Sequence, residues 1–336
     1  MTPRDMQGKH EGGGTTAKPG RKVKIEGGES NTSVLGASTG QVFENAGNPG
    51  IVNLEEVFPT ADQIHPTPFD PRMIVEETGA ASSVSIAGMR GTGKTSWTRW
   101  ALRQLRGTWP FVMIIGETAK NKQWNSVPDT FSLTNLDKMD DVIGMLIARQ
   151  ERFKQLHEEG KFNRSALLIL DDVLGRADRL RYSHNLDRVL TIGRHMDIGV
   201  WTLLQQPTGY TPMQRANVDW MVMLRQNSID QVDVLRKTYL GMINGTKEQY
   251  KFIFSYARGW NSLVIGNRLA RDIKDKVFTV TAPESVPDFK LGSKELWEAD
   301  RRAQAEQMKP KPPPLLNQAY RPLFRPDAPP AFHGPL

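Results

Sequence analysis

The residues best suited to chemistry lie in a glycine-rich turn that follows a short apolar segment. Residues 84–87 lead into Gly88-Met-Arg-Gly-Thr-Gly-Lys94-Thr95, which has the G-x-x-x-x-G-K-[ST] spacing of a Walker A phosphate loop. Glycine lets such a backbone curl with its N–H groups facing a polyphosphate, the lysine reaches the β- and γ-phosphates, and the threonine hydroxyl ligates Mg²⁺. We therefore predict a site for ATP and Mg²⁺ formed by Gly88, Arg90, Gly91, Thr92, Gly93, Lys94, Thr95 and Ser96.

Two carboxylates supply the second candidate element of this site. Asp171 and Asp172 follow residues 166–170, a continuous apolar run of strand length. Ligands of an open parallel sheet collect beyond the carboxyl ends of its strands, so both side chains should lie beside the phosphates, as in a Walker B motif. We expect Asp171 to hold Mg²⁺, directly or through water, and Asp172 to orient or deprotonate the attacking water. Glu117, after the apolar run 111–115, is the alternative base.

The hydrophobic pattern predicts the elements that must position these groups. Gln205 ends another apolar run, where its amide is well placed to sense the γ-phosphate or its water. Residues 250–256 and 262–265 are predicted to form a hairpin at the sheet edge, and 277–280 is a further short strand candidate. Buried strands are predicted at 84–87, 111–115, 166–170, 198–204 and 220–224, and helices at 94–105, 136–159, 178–194, 213–217 and 229–240. This is the pattern of an α/β fold with a mainly parallel sheet between helices.

Composition divides the chain into five segments. Residues 1–50 are expected to form a flexible basic arm rich in glycine and serine, and 51–70 an extended lead-in. Residues 71–267 are the expected ATPase domain, followed by a charged extension at 268–308. The proline-rich tail at 309–336 favours polyproline II or disorder, either as a plain terminus or as a segment that docks on a partner.

The overall composition sets limits on the function. The 336 residues include 44 Lys and Arg against 37 Asp and Glu, a net charge of +7, which favours a polyanionic partner such as nucleic acid. The chain has no cysteine, which excludes disulfides, thiolate metal sites and cysteine nucleophiles. Because no run approaches 18 apolar residues and the first 50 residues lack the apolar run of a signal peptide, we expect a soluble, intracellular protein with no membrane segment.

A succession of motifs resembles a known superfamily. Walker A, the strand ending in Asp171-Asp172, Gly-Arg194-His195, the strand ending in Gln205, and Arg215-Ala-Asn217 resemble the FtsK/HerA superfamily of DNA-pumping ATPases, over about residues 70–267. Within it the chain looks most like the poxvirus-type genome-packaging ATPases of large DNA viruses. The resemblance implies an additional-strand, RecA-like P-loop NTPase that forms a homo-oligomeric ring. Such a motor would drive double-stranded DNA, contacted through its phosphates, into a preformed capsid with a capsid or portal partner, in the virion or at its assembly site.

The resemblance also suggests how the site residues divide their roles. Lys94, Thr95, Asp171, Asp172 and Gln205 carry over position by position. The trans-acting arginine does not, because Trp220-Met-Val stands where cellular members place it, shortly after the Asn of the fifth-strand motif. Arg194 and Arg215 are the substitutes, with Arg225 in reserve.

Three other functions fit part of the pattern. An ATPase of a conjugation or phage-assembly system usually brings a membrane segment. A nucleoside or small-metabolite kinase needs an acceptor pocket and an arginine-rich lid. A nucleotide-gated structural protein would bind ATP without hydrolysing it, so hydrolysis stimulated by double-stranded DNA separates the motor from all three.

Overall fold

The computed structural model describes residues 59–156, 163–173, 183–206, 209–243 and 245–307. The arm predicted at 1–50, the tail predicted at 309–336 and residues 51–58 of the lead-in lie outside these ranges. The end of the helix predicted at 136–159 and the start of the one predicted at 178–194 also lie outside them.

The described residues form one sheet of nine strands. Its order is β1-β9-β8-β7-β2-β6-β5-β3-β4. All neighbouring strands run parallel except β8, which is antiparallel to both β7 and β9. The strands are β1 Thr67–Pro68, β2 Ser83–Ala87, β3 Phe111–Ile115, β4 Ser132–Leu133, β5 Ala166–Asp171, β6 Ile198–Leu204, β7 Trp220–Met223, β8 Asn261–Gly266 and β9 Val277–Thr281.

The central strands are apolar along their length. Every residue of β2, β3, β5, β6 and β7 is buried. Helices cover both faces of a parallel sheet, so side chains directed to either face must be apolar, apart from the occasional small or hydrogen-bonded polar residue. The five strands predicted from apolar runs are present, with ends that differ by at most one residue. The predicted α/β fold with a mainly parallel sheet is confirmed.

Eight α-helices occur in the described residues. The helix after the phosphate loop, α2, buries Trp97, Ala101 and Leu102 on one side. The helix before β6, α4, is capped by Ser183, whose Oγ accepts a hydrogen bond from the Leu186 N–H at 3.1 Å. The helices are α1 Met73–Thr78, α2 Lys94–Gln104, α3 Met139–Leu156, α4 His184–Ile192, α5 Pro212–Ala216, α6 Ile229–Tyr239, α7 Lys247–Ser255 and α8 Lys294–Gln307.

An aromatic cluster joins the lead-in to the sheet beneath α2. Phe69 follows β1, and its ring centroid lies 5.5 Å from that of Trp220, 6.0 Å from that of Phe278 and 6.3 Å from that of Trp97. These residues come from the lead-in, β7, β9 and α2. The start of the described chain and β9 therefore share one core with the helix that begins at the phosphate loop.

The hairpin predicted from 250–256 and 262–265 is wrong. Residues Lys247–Ser255 form helix α7, because Thr246 Oγ1 accepts from the Gln249 N–H at 3.3 Å and Gln249 Oε1 accepts from the Thr246 N–H at 2.8 Å, a capping box. Tyr250 and Ile253, one helical turn apart, are buried, whereas Phe252 is 48% exposed. In addition, β8 lies between β7 and β9 rather than at the edge of the sheet.

The sheet also extends past residue 267, where we expected the ATPase domain to end. Strand β9 pairs with β8 over five residues and with β1 over two. Helix α8 follows and packs near β3, where the buried Asp300 carboxylate accepts a hydrogen bond from the Thr130 N–H at 2.9 Å. The charged composition of 268–308 led us to end the domain at residue 267. A strand and a helix that pack on one face can, however, keep charged residues on the other face.

Candidate functional site

The turn between β2 and α2 has the backbone of a phosphate loop. Gly91 and Gly93 have φ angles of +77° and +92°, in the left-handed region that glycine adopts without steric cost. At Gly88 an added Cβ would lie 2.5 Å from Thr92 Oγ1 and 2.9 Å from Leu224 Cβ, so the loop packs too closely for a side chain there. Thr92 Oγ1 in turn donates a hydrogen bond to the Met89 carbonyl at 2.8 Å. The three glycines of the motif are therefore required by this geometry or its packing.

Lys94 extends back over this turn. Its Nζ donates hydrogen bonds to the carbonyls of Gly88 at 2.7 Å and Met89 at 3.0 Å. Burial lowers the pKa of Lys94, and the negative charges of Asp172 and Asp171 oppose that shift. A partly buried ammonium at the N-terminus of α2 gives the loop the positive field that a polyphosphate requires.

Asp171 ends β5 and is held in place by two donors. The side chain is 5% exposed, and its Oδ2 accepts hydrogen bonds from Trp124 Nε1 at 2.6 Å and from Thr118 Oγ1 at 2.9 Å. Burial raises the pKa of Asp171, while these two hydrogen bonds and the charge of Lys94 lower it. Neither donor was predicted. Thr118 lies just beyond the end of β3, where topology could have indicated it, whereas no local pattern marks Trp124.

Asp172 and Gln205 lie at the ends of neighbouring strands and contact each other. The Gln205 Nε2 donates a hydrogen bond to Asp172 Oδ2. The Asp172 backbone has a φ of +51°, a conformation that non-glycine residues rarely adopt. Such strain persists only where the surrounding structure imposes it, and it commonly occurs at functional sites. The structure thus brings the predicted base and the predicted sensor together.

Glu117, the alternative base, is exposed at the turn after β3. The preceding Gly116 is packed against β5, since a Cβ there would lie 2.1 Å from the Asp171 carbonyl oxygen. Glu117 therefore lies near the same edge of the sheet, but its side chain is exposed to solvent. Arg90 and Gly91 at the tip of the phosphate loop are also exposed.

Arg194 lies at the opposite edge of the sheet. It precedes β6 and pairs with Asp219, which precedes β7 and is 1% exposed. Asp219 also accepts hydrogen bonds from the Ser83 N–H at 2.7 Å and pairs with Arg268 at 3.3 Å. Because β2, β6 and β7 are parallel, this cluster is at their amino ends, away from the phosphate loop of the same chain.

The other two arginine candidates occupy different places. Arg215 lies on α5, and its guanidinium donates a hydrogen bond to the Tyr210 carbonyl at 2.6 Å. Arg225 is exposed just after β7, at the phosphate-loop edge of the sheet. The assignment of a trans-acting arginine stays a prediction.

A magnesium ion fits the donor set beside the loop. Mg²⁺ is usually bound by one or two carboxylates together with a hydroxyl and the phosphates of a substrate, rather than by a cage of protein ligands. Asp171 and Thr95 provide such a partial set. The described residues contain no cluster of three or more His, Cys, Asp or Glu suited to a metal ion. In the same part of the chain, no helix combines the length and apolar character needed to cross a membrane.

Comparison with known proteins places the chain among viral relatives. The family model for "Poxvirus A32 protein" matches residues 79–281, from the turn before β2 to the last residue of β9. The chain is 25% identical over 228 residues to protein L437 of Acanthamoeba polyphaga mimivirus, covering 66% of this chain and 78% of that protein. It is 28% identical over 184 residues to protein 075L of Invertebrate iridescent virus 6, covering 52% of this chain and 69% of that protein.

Solved structures similar to this chain come from different systems. The genome-packaging NTPase B204 of Sulfolobus turreted icosahedral virus 2, in complex with AMPPCP, matches with a TM-score of 0.44 and 12% identity, covering 61% of this chain and 100% of that chain. The pCW3 conjugation coupling protein TcpA with ATPγS matches with a TM-score of 0.47 and 14% identity, covering 69% of this chain and 73% of that chain.

Proposed function

The chain belongs to the Poxvirus A32 protein family, and we propose that it is an ATP-driven motor that moves double-stranded DNA into a preformed viral capsid. Family membership supports the viral setting. The chemistry of the site supports ATP hydrolysis, and the positive net charge supports a polyanionic cargo.

The observation that carries the proposal is the order of three strands. Strand β2 leads into the phosphate loop, β5 ends in Asp171-Asp172, and β6 lies between them and leads into Gln205. All three run parallel, so their carboxyl ends meet at one edge of the sheet. A phosphate cradle, a metal-binding carboxylate, a base and a polar sensor at one edge are the parts that nucleotide hydrolysis requires.

The nucleotide and its metal ion would be held by the first of these parts. The loop N–H groups and Lys94 neutralise the β- and γ-phosphates, while Thr95 and Asp171 hold Mg²⁺, which withdraws charge from the phosphates when bound. The hydrogen bonds from Trp124 and Thr118 both fall on Asp171 Oδ2 and fix the orientation of this carboxylate. A cation close to Asp171 favours its ionised form against the effect of burial.

The hydrolytic step would fall to Asp172 and Gln205. A water molecule in line with the terminal phosphate is oriented by Asp172, which accepts its proton as the water oxygen attacks the γ-phosphorus. The bond from that phosphorus to the bridging oxygen breaks, and ADP leaves with the bridging oxygen. The Gln205 amide, bonded to the same carboxylate, is placed to detect whether the terminal phosphate is present. Gln205 thereby couples the state of the nucleotide to β6.

Movement of DNA adds two requirements beyond hydrolysis. Successive subunits must fire in turn, so we propose a homo-oligomeric ring in which an arginine of one subunit reaches the nucleotide of its neighbour. Arg215 is one candidate for that role, and Arg194, at the edge of the sheet opposite the loop of its own chain, is the other. The DNA would be contacted through its phosphates, since a motor that passes a whole genome cannot depend on base identity.

ATP hydrolysis with and without double-stranded DNA tests the proposal. We expect DNA to stimulate hydrolysis by the parent protein and the Lys94→Ala variant to lose both binding and hydrolysis. Lys274→Ala, which removes an exposed lysine remote from the loop, is the matched control and should behave as the parent. Hydrolysis that DNA does not stimulate contradicts the motor, and ATP binding without hydrolysis by the parent indicates a nucleotide-gated structural protein instead.

A further inference from the structure

Trp260 lies in the tight turn that joins α7 to β8. Gly259 has a φ of +60°, and the Asn261 N–H donates a hydrogen bond to the Arg258 carbonyl at 3.0 Å. Strand β8 is antiparallel to β7, so it starts at the edge where β2 enters the phosphate loop. Pairing confirms this, because Met223 of β7 is opposite both Ala87 of β2 and Leu263 of β8.

The Trp260 ring contacts the phosphate loop itself. A Cβ built on Gly93 would lie 2.8 Å from Trp260 Cζ3 and 3.2 Å from Cε3, with no other atom within 4 Å. Contact with only two adjacent ring atoms means that the indole meets Gly93 along an edge of its six-membered ring rather than with a face. Position 93 thus excludes any side chain for two reasons, its left-handed φ and the indole beside it.

Trp260 is unusual among the eight tryptophans of this chain. Five of them are at most 1% exposed, and their rings fill the core: Trp97, Trp109, Trp124, Trp201 and Trp220. Trp260 is 52% exposed, although its ring lies against Gly93 of the phosphate loop. A large aromatic ring left half in water beside a ligand loop points to a surface that a ligand covers.

The backbone that carries Trp260 is firmly attached to the helix that follows the phosphate loop. Ser262, two residues further on, is fully buried, and its Oγ accepts a hydrogen bond from Trp97 Nε1 of α2 at 3.0 Å. The same hydroxyl donates to the Val280 carbonyl of β9 at 3.0 Å. The Asn261 side chain accepts a further hydrogen bond from Thr281 Oγ1. The chain segment that carries the indole is therefore held close to α2.

We propose that Trp260 is the platform on which the base of the bound nucleotide stacks. This rests on the proposed function, since it assumes that a nucleoside triphosphate places its phosphates in the loop. The nucleoside of that ligand would extend out of the loop, and the exposed indole lies beside Gly93, the residue that precedes α2. Every base has a π-face, so stacking on a tryptophan adds affinity without selecting one base. The proposal therefore predicts a site that does not select one base, with ATP and GTP bound alike.

Binding of ATP, GTP and inorganic tripolyphosphate by calorimetry tests this proposal. Trp260→Ala should weaken the binding of ATP and GTP by about 5- to 150-fold, the range expected when base–aromatic stacking is removed. Its affinity for tripolyphosphate should stay within about twofold of the parental value. Trp260→Phe keeps an aromatic face and should recover most of the affinity. Phe252→Ala removes another half-exposed aromatic ring, on α7, and is the matched control. It should leave the affinities for ATP, GTP and tripolyphosphate unchanged.

Intrinsic fluorescence gives a readout independent of turnover. ATP should quench the tryptophan fluorescence of the parent protein, and tripolyphosphate should quench it much less. In Trp260→Phe the two ligands should have the same effect on the fluorescence.

The possible results separate the platform from the proposed function. Unchanged ATP affinity in Trp260→Ala, in a protein whose parent binds ATP, overturns the platform and leaves the ATPase intact. Equal losses of affinity for ATP and tripolyphosphate also overturn the platform, because they indicate distortion of the loop at Gly93. A changed oligomeric state with parental ATP affinity overturns it as well and indicates that Trp260 contacts a neighbouring subunit. A parent that binds neither ATP nor tripolyphosphate overturns the proposed function and the platform together.

Discussion

The side-chain amide of Gln205 donates a hydrogen bond to the Asp172 carboxylate and so links the ends of β6 and β5. Asp172 adopts a left-handed backbone at that point, which is uncommon for residues with a Cβ, although Asp tolerates it better than most. Because β6 lies between the strand of the phosphate loop and that of the two aspartates, the bond crosses the centre of the site. A change at either residue should therefore alter hydrolysis more than nucleotide binding.

Asp172→Asn should lower kcat by at least about 100-fold while ATP affinity stays within about threefold, since the amide keeps the size of the side chain and removes only the base. Steady-state hydrolysis and ATP binding measure the two effects. Asp141→Asn, the same change at an exposed position of α3, is the control. Parental hydrolysis by Asp172→Asn would move the base to Glu117, and Glu117→Gln then becomes the decisive variant.

Gln205→Glu should shift the acid limb of the pH–rate profile to higher pH. The substitution places a second carboxylate against Asp172, and a like charge nearby raises the pKa of the group that must lose its proton. Gln205→Ala, which adds no charge, should lower the rate without that shift. Profiles of kcat between pH 5 and 9 for the three proteins measure it, and a limb that does not move in Gln205→Glu argues against contact with the catalytic base.

The nucleotide-free protein should gain stability from Asp171→Asn near neutral pH. Burial raises the pKa of Asp171 in the folded state, so the ionised carboxylate destabilises the fold above that pKa. The penalty disappears as pH falls through the raised folded value towards the ordinary value of 3.8. The gain from Asp171→Asn should therefore be largest at neutral pH and shrink on acidification, because asparagine resembles the protonated acid.

Thermal melting at several pH values between 5 and 8 measures this difference. Asp141→Asn should show no comparable trend. A gain from Asp171→Asn that grows as pH falls would mean that the Trp124 and Thr118 hydrogen bonds outweigh burial and depress the pKa of Asp171.

Mixing Arg215→Ala subunits with Lys94→Ala subunits should restore part of the ATPase activity that each variant lacks alone. An intact nucleotide site of the first variant then faces an intact arginine of the second across the subunit interface. Activity against mixing ratio measures the effect. No recovery at any ratio indicates that Arg215 acts within its own chain.

Arg194→Ala is a useful contrast to that experiment. Arg194 pairs with the buried Asp219, so its loss should lower the free energy of unfolding by about 1 kcal/mol even if hydrolysis is retained. Urea unfolding measures this effect. Loss of activity with unchanged stability, followed by recovery on mixing with Lys94→Ala, would instead identify Arg194 as the trans-acting residue.

Binding to double-stranded DNA should weaken steeply between about 50 and 200 mM salt, by orders of magnitude if several phosphates are contacted. Fluorescence anisotropy on two duplexes of unrelated sequence measures the salt dependence and the sequence preference together. Salt-independent affinity, or a preference for one short sequence that survives competitor DNA, contradicts a packaging motor.

The sequence by itself determined the parts of the fold that depend on contiguous residues. The phosphate loop is a local structure, and its glycines, lysine and threonine lie within eight positions of each other. The central strands are buried on both faces, so each is an apolar run with a recognisable beginning and end. Because parallel strands share an edge, the positions of Asp171, Asp172 and Gln205 followed from the strands that they end.

Short amphipathic segments were decided by packing and capping. Residues 250–256 have apolar side chains that fit both a strand and a helix, and the capping box at Thr246 together with burial of Tyr250 and Ile253 selects the helix. The sequence predicted a short strand at 277–280 but placed it outside the ATPase domain, whereas the pairing of β9 with β8 places it in the central sheet.

Only the tertiary structure decided which distant side chains meet. Trp124 and Thr118 contact Asp171 across 47 and 53 residues of sequence. Trp260, which follows α7 in the chain, contacts Gly93 of the phosphate loop. Arg194 was grouped with the active-site motifs by its order in the chain, yet it precedes β6, and the residue before a parallel strand lies at the opposite edge from the residue after it. Local pattern specifies elements, whereas contacts between elements depend on strand order and direction, which no single segment encodes.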